Sequence, residues 1–190
     1  VGTLTMSSDA GRLVGANTPV YNAINVTNPS NTLNIGGVTN ANNLTLNGAL
    51  NFAGGGTRFI SIDSPAVTAS LGTTLAGTFA FTKSGDGILA LANPASTSSG
   101  TITVSSGILA IGATNGSSRW SRVDLGASGL FDLNATTDVL GSLTGTGLFA
   151  NRSGTAAAAR IGFDNTDFTF SGRFASSSQV GASLNLDKIG

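Results

Sequence analysis

Asp164 and Asp167, in the run Asp-Asn-Thr-Asp, are the nearest approach to a carboxylate pair in this 190-residue sequence. Two carboxyl groups flanking a glycosidic bond can act as acid and base or as nucleophile. A polysaccharide-cleaving groove would add His, Lys or Arg, and the sequence places none beside this pair, so a solvated turn is expected. The only Trp stands in Ser118-Arg119-Trp120-Ser121-Arg122. Arg119, Trp120 and Arg122 could hold a sugar ring or an anionic surface polysaccharide, through an aromatic face flanked by guanidiniums. The alternative is a Trp that covers core while its arginines are solvated. Asn25, Asn43, Asn115, Asn134 and Asn151 each begin an Asn-x-Ser/Thr sequon, a pattern that chance supplies in a chain rich in these residues. His and Cys are absent, which removes the commonest general base, the commonest metal ligand and all thiol chemistry. No phosphate loop, EF-hand loop or calcium-binding glycine repeat is present. The expectation is a non-enzyme with no catalytic, cofactor-binding or metal-binding residues.

What must position these residues is a β architecture. Only 9% of residues are charged and the formal net charge is zero, against roughly 25% charged in an ordinary domain. All nine acids are Asp, and the only lysines are Lys83 and Lys188. Long-chain helix formers are scarce while Thr, Val, Ile, Phe, Gly and Asn abound. Zero net charge argues against a nucleic-acid partner, which needs a basic stripe. No apolar run reaches the roughly 18 residues of a membrane-spanning helix. Disorder is disfavoured by the 40% hydrophobic content.

Apolar residues alternate in short runs along the whole chain, among them Ile24/Val26, Leu33/Ile35, Leu44/Leu46, Ile102/Val104, Leu109/Ile111 and Phe168/Phe170. Period two means strands with one buried face. Gly and Asn turns follow after only two or three apolar residues, too soon for most sandwiches or barrels, whose strands recur at about 8–12 residues. Such spacing suits a coil whose turns each contribute short strands, with Asn and Gly at the corners. Eleven of seventeen Asn lie in the first 51 residues, as stacked corners would require. The predicted fold is all-β: a right-handed parallel β-helix, or β-solenoid, in which alternate apolar residues fill one continuous core.

Self-comparison aligns Phe79 to Gly85 with Leu184 to Gly190, both ending Lys-x-Gly. It also aligns Ile24 to Gly36 with Ile102 to Gly112, and Leu44 to Phe52 with Val123 to Leu133. Two diverged tandem units are expected, residues 1–85 and 86–190, within one continuous solenoid. Phe81-Thr-Lys-Ser-Gly-Asp-Gly-Ile-Leu-Ala-Leu-Ala-Asn93, then Ser99-Gly-Thr-Ile-Thr-Val-Ser-Ser-Gly-Ile-Leu-Ala-Ile-Gly112, resembles the autotransporter-associated β-strand repeat, also called the passenger-associated transport repeat. Leu140-Gly-Ser-Leu-Thr-Gly-Thr-Gly147 resembles a second segment of the same proteins. The resemblance implies a parallel β-helix secreted to the bacterial cell surface, and it implies no catalytic residues.

Joining the C-terminus to the N-terminus, Leu186-Asp-Lys-Ile-Gly190 then Val1-Gly-Thr-Leu4-Thr-Met6, reproduces the internal run Phe81 to Leu91 without a gap. Copies are therefore expected to stack or continue end to end through Leu4, Met6, Leu184 and Leu186, as an extracellular filament or stalk. An adhesin segment of an autotransporter-like protein is the alternative, and a carbohydrate-active β-helix a more remote one.

Overall fold

The computed structural model describes residues 3–6, 12–14, 17–28, 32–36, 42–52, 57–75, 80–93, 99–112 and 119–190. The chain winds through strands on three faces of a coil. It starts with β1 (Leu4–Met6) on the third face, β2 (Arg12–Leu13) on the first and β3 (Pro19–Val20) on the second. The next strands repeat the cycle: β4 (Ile24–Val26), β5 (Thr32–Ile35), β6 (Leu44–Leu46), β7 (Leu50–Phe52), β8 (Arg58–Ile62) and β9 (Thr68–Leu71). β10 (Phe81–Ser84) returns to the first face and β11 (Ile88–Leu91) to the second. β12 (Thr101–Ile111) runs along both faces without a break, and β13 (Arg119–Asp132) spans all three. β14 (Thr137–Gly145) covers the third and first, followed by β15 (Leu148–Asn151) on the second. β16 (Ala157–Ile161), β17 (Arg173–Ser176) and β18 (Leu184–Lys188) lie on the third, second and third.

Every strand pair is parallel, from Leu4 against Ile24 to Ile161 against Lys188. The fold is an all-β parallel solenoid. Lateral side-chain bonds between neighbouring turns join residues 26 apart at Asn25 and Asn51, 23 apart at Lys83 and Ser106, and 20 apart at Thr101 and Ser121. The ladder crosses residue 85 without interruption, because Phe81 pairs with both Arg58 and Ile102. The aligned segments of the two sequence units occupy different faces: Ile24/Val26 lie on the third face and Ile102/Val104 on the first. The structural repeat is therefore one turn of the coil.

Alternate residues point inward and stack in columns. Leu33, Ile60, Lys83, Val104 and Leu125 follow one another, as do Leu89, Leu109, Phe131, Phe149 and Phe174. Leu33, Ile35, Leu44, Leu46, Ile102, Val104, Leu109 and Ile111 are all buried in one cluster, as their spacing predicts. Burying each such side chain contributes about 1.5–3 kcal/mol. Phe131 and Phe149 stack face to face, with centroids 5.3 Å apart.

Asn residues do stack turn on turn: Asn51 Nδ2 donates to Asn25 Oδ1 at 2.8 Å, and Asn43 N donates to Asn17 Oδ1 at 2.8 Å. The first-to-second corner is tight. Gly107 adopts φ +66°, and a Cβ there would come within 2.5 Å of Lys83 Nζ and 2.7 Å of Gly87 O.

Candidate functional site

Lys83 belongs to the period-two core pattern yet is a cation, and it is completely buried. Its side chain runs inside β10 to the first-to-second corner. There Nζ donates to Ser84 O at 2.9 Å, to Gly85 O, and to Ser106 O of the next turn at 3.0 Å. Burial pushes Lys83 down to about 8, against the opposing pull of Asp86 and Asp63. Burial works to raise the Asp63 carboxyl, but the Ser61 hydroxyl, the Arg12 guanidinium and Lys83 outweigh it and hold Asp63 below its usual value. Lys188 makes the same corner: Nζ donates to Ile189 O at 3.1 Å and Gly190 O at 2.9 Å. Gly85 and Gly190 both take positive φ, 72° and 80°. The sequence match between the two Lys-x-Gly runs is thus a shared corner, but β10 is on the first face and β18 on the third. Lys188 holds two carbonyls where Lys83 holds three, the third coming from the following turn.

The second feature lies on the outside of the first face. After β16 the chain does not lay a strand on β14 directly. Gly162 N bonds Leu140 O at 2.9 Å, and the ladder resumes only at the Gly145–Phe170 bridge. Residues 163–168 arch outward instead. The arch is fixed by Thr166, whose hydroxyl donates to Asp164 Oδ1 at 2.9 Å, and by Asn165 at φ 55°. Arg119 lies over the Phe163 ring, 5.8 Å from its centroid, and Lys188 over the Phe168 ring at 5.9 Å. Beneath the arch is a groove of about 440 Å³ lined by Thr101, Ser121, Arg122, Ser142, Thr144, Asp164, Thr166, Asp167 and Phe168. Ser142 faces outward beside Arg122 in register, yet the arch leaves it only 6% exposed. Asp164 and Asp167 do lie in a turn, as expected, and the groove that they line also includes Arg122. Arg122 arrives from two turns below, a proximity that linear spacing does not carry.

The Arg119, Trp120, Arg122 cluster is corrected. Trp120 is fully buried and meets Phe81 edge to face at 6.2 Å, so its ring cannot stack on a sugar. Arg119 lies on the third face and Arg122 on the first, with the corner between them. Trp120 Nε1 and Asp138 Oδ2 are buried without a hydrogen-bond partner. Burial raises the Asp138 carboxyl to about 7, opposed only by the backbone N–H of Val139. Nothing in the sequence marked Asp138 apart from its inward parity with Leu140.

Among the sequons, Asn151 is buried and donates from Nδ2 to Thr155 O and Ser183 O at 2.6 and 2.7 Å, which leaves no room for a glycan. Asn115 lies outside the described residues.

The end-strand residues sit as edge positions. Leu4 in β1 and Leu186 in β18 are 42% and 44% exposed, Leu184 is half-buried and Met6 is buried. Among the described residues β1 pairs only with β4 and β18 only with β16. No metal-binding group of His, Cys, Asp or Glu occurs among the described residues. No helix is long and apolar enough to cross a membrane.

Neither a search of curated proteins nor one of solved structures finds a match to this chain. The family model described as passenger-associated-transport-repeat matches residues 81–111. That span holds β10, the Lys83 corner, β11 and β12. Residues 81–111 are thus similar to a passenger-associated transport repeat, and such a repeat within a parallel solenoid fits an autotransporter passenger-like protein.

Proposed function

We propose that the chain is a non-catalytic structural segment of a bacterial surface or secreted filament or stalk, extended by further turns against its two end faces. The observation that carries this reading is the placement of exposed apolar side chains. Seven large hydrophobics are exposed among the described residues, and six of them, Leu4, Val14, Tyr21, Phe174, Val180 and Leu186, lie in the first and last turns. Leu186, Leu184 and Phe174 line one shallow recess at the C-terminal end, together with Ala175 and Ser176. Solenoid ends of this kind require a cap or a partner, since open strand edges and core would otherwise face water. The Lys188 corner supports the same reading, since Lys188 holds two carbonyls of its own turn where Lys83 takes a third from the next turn at Ser106.

The adjoining turns can come from a second copy or from the same polypeptide. Because β1 and β18 share the third face, a copy that follows the coil's path directly after Gly190 is turned by one face relative to its predecessor. The reading is tested by sedimentation velocity of the purified chain over a concentration series. Self-association that is abolished by Leu186→Asp supports it. A monomer at all concentrations, indifferent to that substitution, rejects stacking between separate copies.

A further inference from the structure

We propose that the groove beneath the arch of residues 163–168 is a binding site for a neutral sugar chain, independent of whether copies join end to end. Three observations lead there. First, the arch interrupts the ladder between Leu140 and Gly145, so the edge of β14 beside Thr144 has no strand partner among the described residues. The arch covers that edge, burying Ser142 and Leu143, and leaves the outward side chain of Thr144 lining the groove.

Second, charged groups converge there without satisfying one another. The side chains of Arg122 and Asp167 line the same groove, and neither makes a hydrogen bond or ion pair among the described residues. Asp164 is oriented by Thr166 and keeps its second oxygen over Gly141. The groove volume of about 440 Å³ is within the roughly 300–1,000 Å³ typical of ligand sites.

Third, the chemistry selects the ligand class. Sugar hydroxyls both donate and accept, which suits carboxylates as acceptors, a guanidinium as donor and the Thr144 hydroxyl, whose proton goes to Asp124, as a further acceptor. Phe168, packed against the core, adds the edge of an aromatic side chain to the lining. Asp164 and Asp167 outnumber Arg122, and Asp124 joins them on the same face through its bond from Thr144. An anionic chain is therefore repelled, in contrast to what Arg119 and Arg122 suggest when read along the sequence.

The test is titration of the ¹⁵N-labelled chain with cellotriose, mannotriose, maltotriose and tri-N-acetylchitotriose, with trigalacturonate as the anionic comparison. A neutral trisaccharide should move the Thr144, Thr166 and Asp167 amides saturably. Arg122→Gln and Asp167→Asn should each weaken binding at least tenfold without changing the melting temperature. Absence of shifts in these amides with every neutral trisaccharide up to about 10 mM overturns the site. So do shifts confined to other faces, binding unaffected by both substitutions, or tighter binding of trigalacturonate.

Discussion

Replacing Lys83 by Met removes a buried donor while keeping the apolar stem, and the structure fixes the size of the effect. Three carbonyls, Ser84 O, Gly85 O and Ser106 O, lose their shared partner. A buried acceptor left unsatisfied costs about 1–3 kcal/mol, so the three cost on the order of 6 kcal/mol. Against this, Met has no ammonium to desolvate. The drop of Lys83 from 10.5 to about 8, at about 1.4 kcal/mol per unit, puts that relief near 3 kcal/mol. The net loss at pH 7 is about 3 kcal/mol. Because the folded value lies below the unfolded one, the unfolded chain binds more protons between pH 8 and 10.5, and wild-type stability rises across that window. The gap between wild type and Lys83→Met therefore widens from pH 7 to pH 10. Lys188→Met, at an exposed corner with two acceptors, should change stability by less than about 0.5 kcal/mol. Urea unfolding followed by far-UV circular dichroism at both pH values measures all three chains. Equal stability of Lys83→Met and wild type, or an equal loss from Lys188→Met, would refute the corner's role.

Val104→Asp or Leu109→Asp places an unpaired carboxylate in the core and should prevent cooperative folding, losing about 4 kcal/mol or more; unchanged melting would remove these residues from the core. Asp138→Asn should flatten the acid-side pH dependence of stability. The folded carboxyl sits at about 7 against 3.8, so the stability tied to its protonated form is complete below about pH 3.8. It is lost as pH rises through 7, by up to about 4 kcal/mol, and identical urea midpoint profiles for both chains would contradict this. Trp120, the only Trp, should emit at short wavelength and resist acrylamide quenching, since it is fully buried; exposed-type emission would return it to the surface.

The solenoid and its core were legible because period-two apolar pairs and Gly or Asn corners are local signals. Leu33, Ile35, Ile102 and Val104 needed nothing beyond their spacing. Phase around the coil was not legible: all three faces use the same strand and corner vocabulary, so Ile24/Val26 and Ile102/Val104 align in sequence while lying on different faces. The Lys-x-Gly match succeeded as chemistry and failed as position for the same reason. Of the two readings open for Trp120, the structure selects the core one, and the corner between Arg119 and Arg122 turns those neighbours onto separate faces. That Arg122 lines one groove with Asp164 and Asp167 depends on an arch that leaves the ladder, which only the three-dimensional path reveals.

If the end turns receive further turns and so build a filament, cryo-electron microscopy of the purified chain will show it. Turns of 18–27 residues at about 4.8 Å each give roughly 40 Å per copy. The account predicts thin unbranched filaments with that axial repeat, each copy turned by one face, and strand ladders running unbroken through the Lys188 corner. Isolated particles whose end strands are covered by their own chain would contradict it.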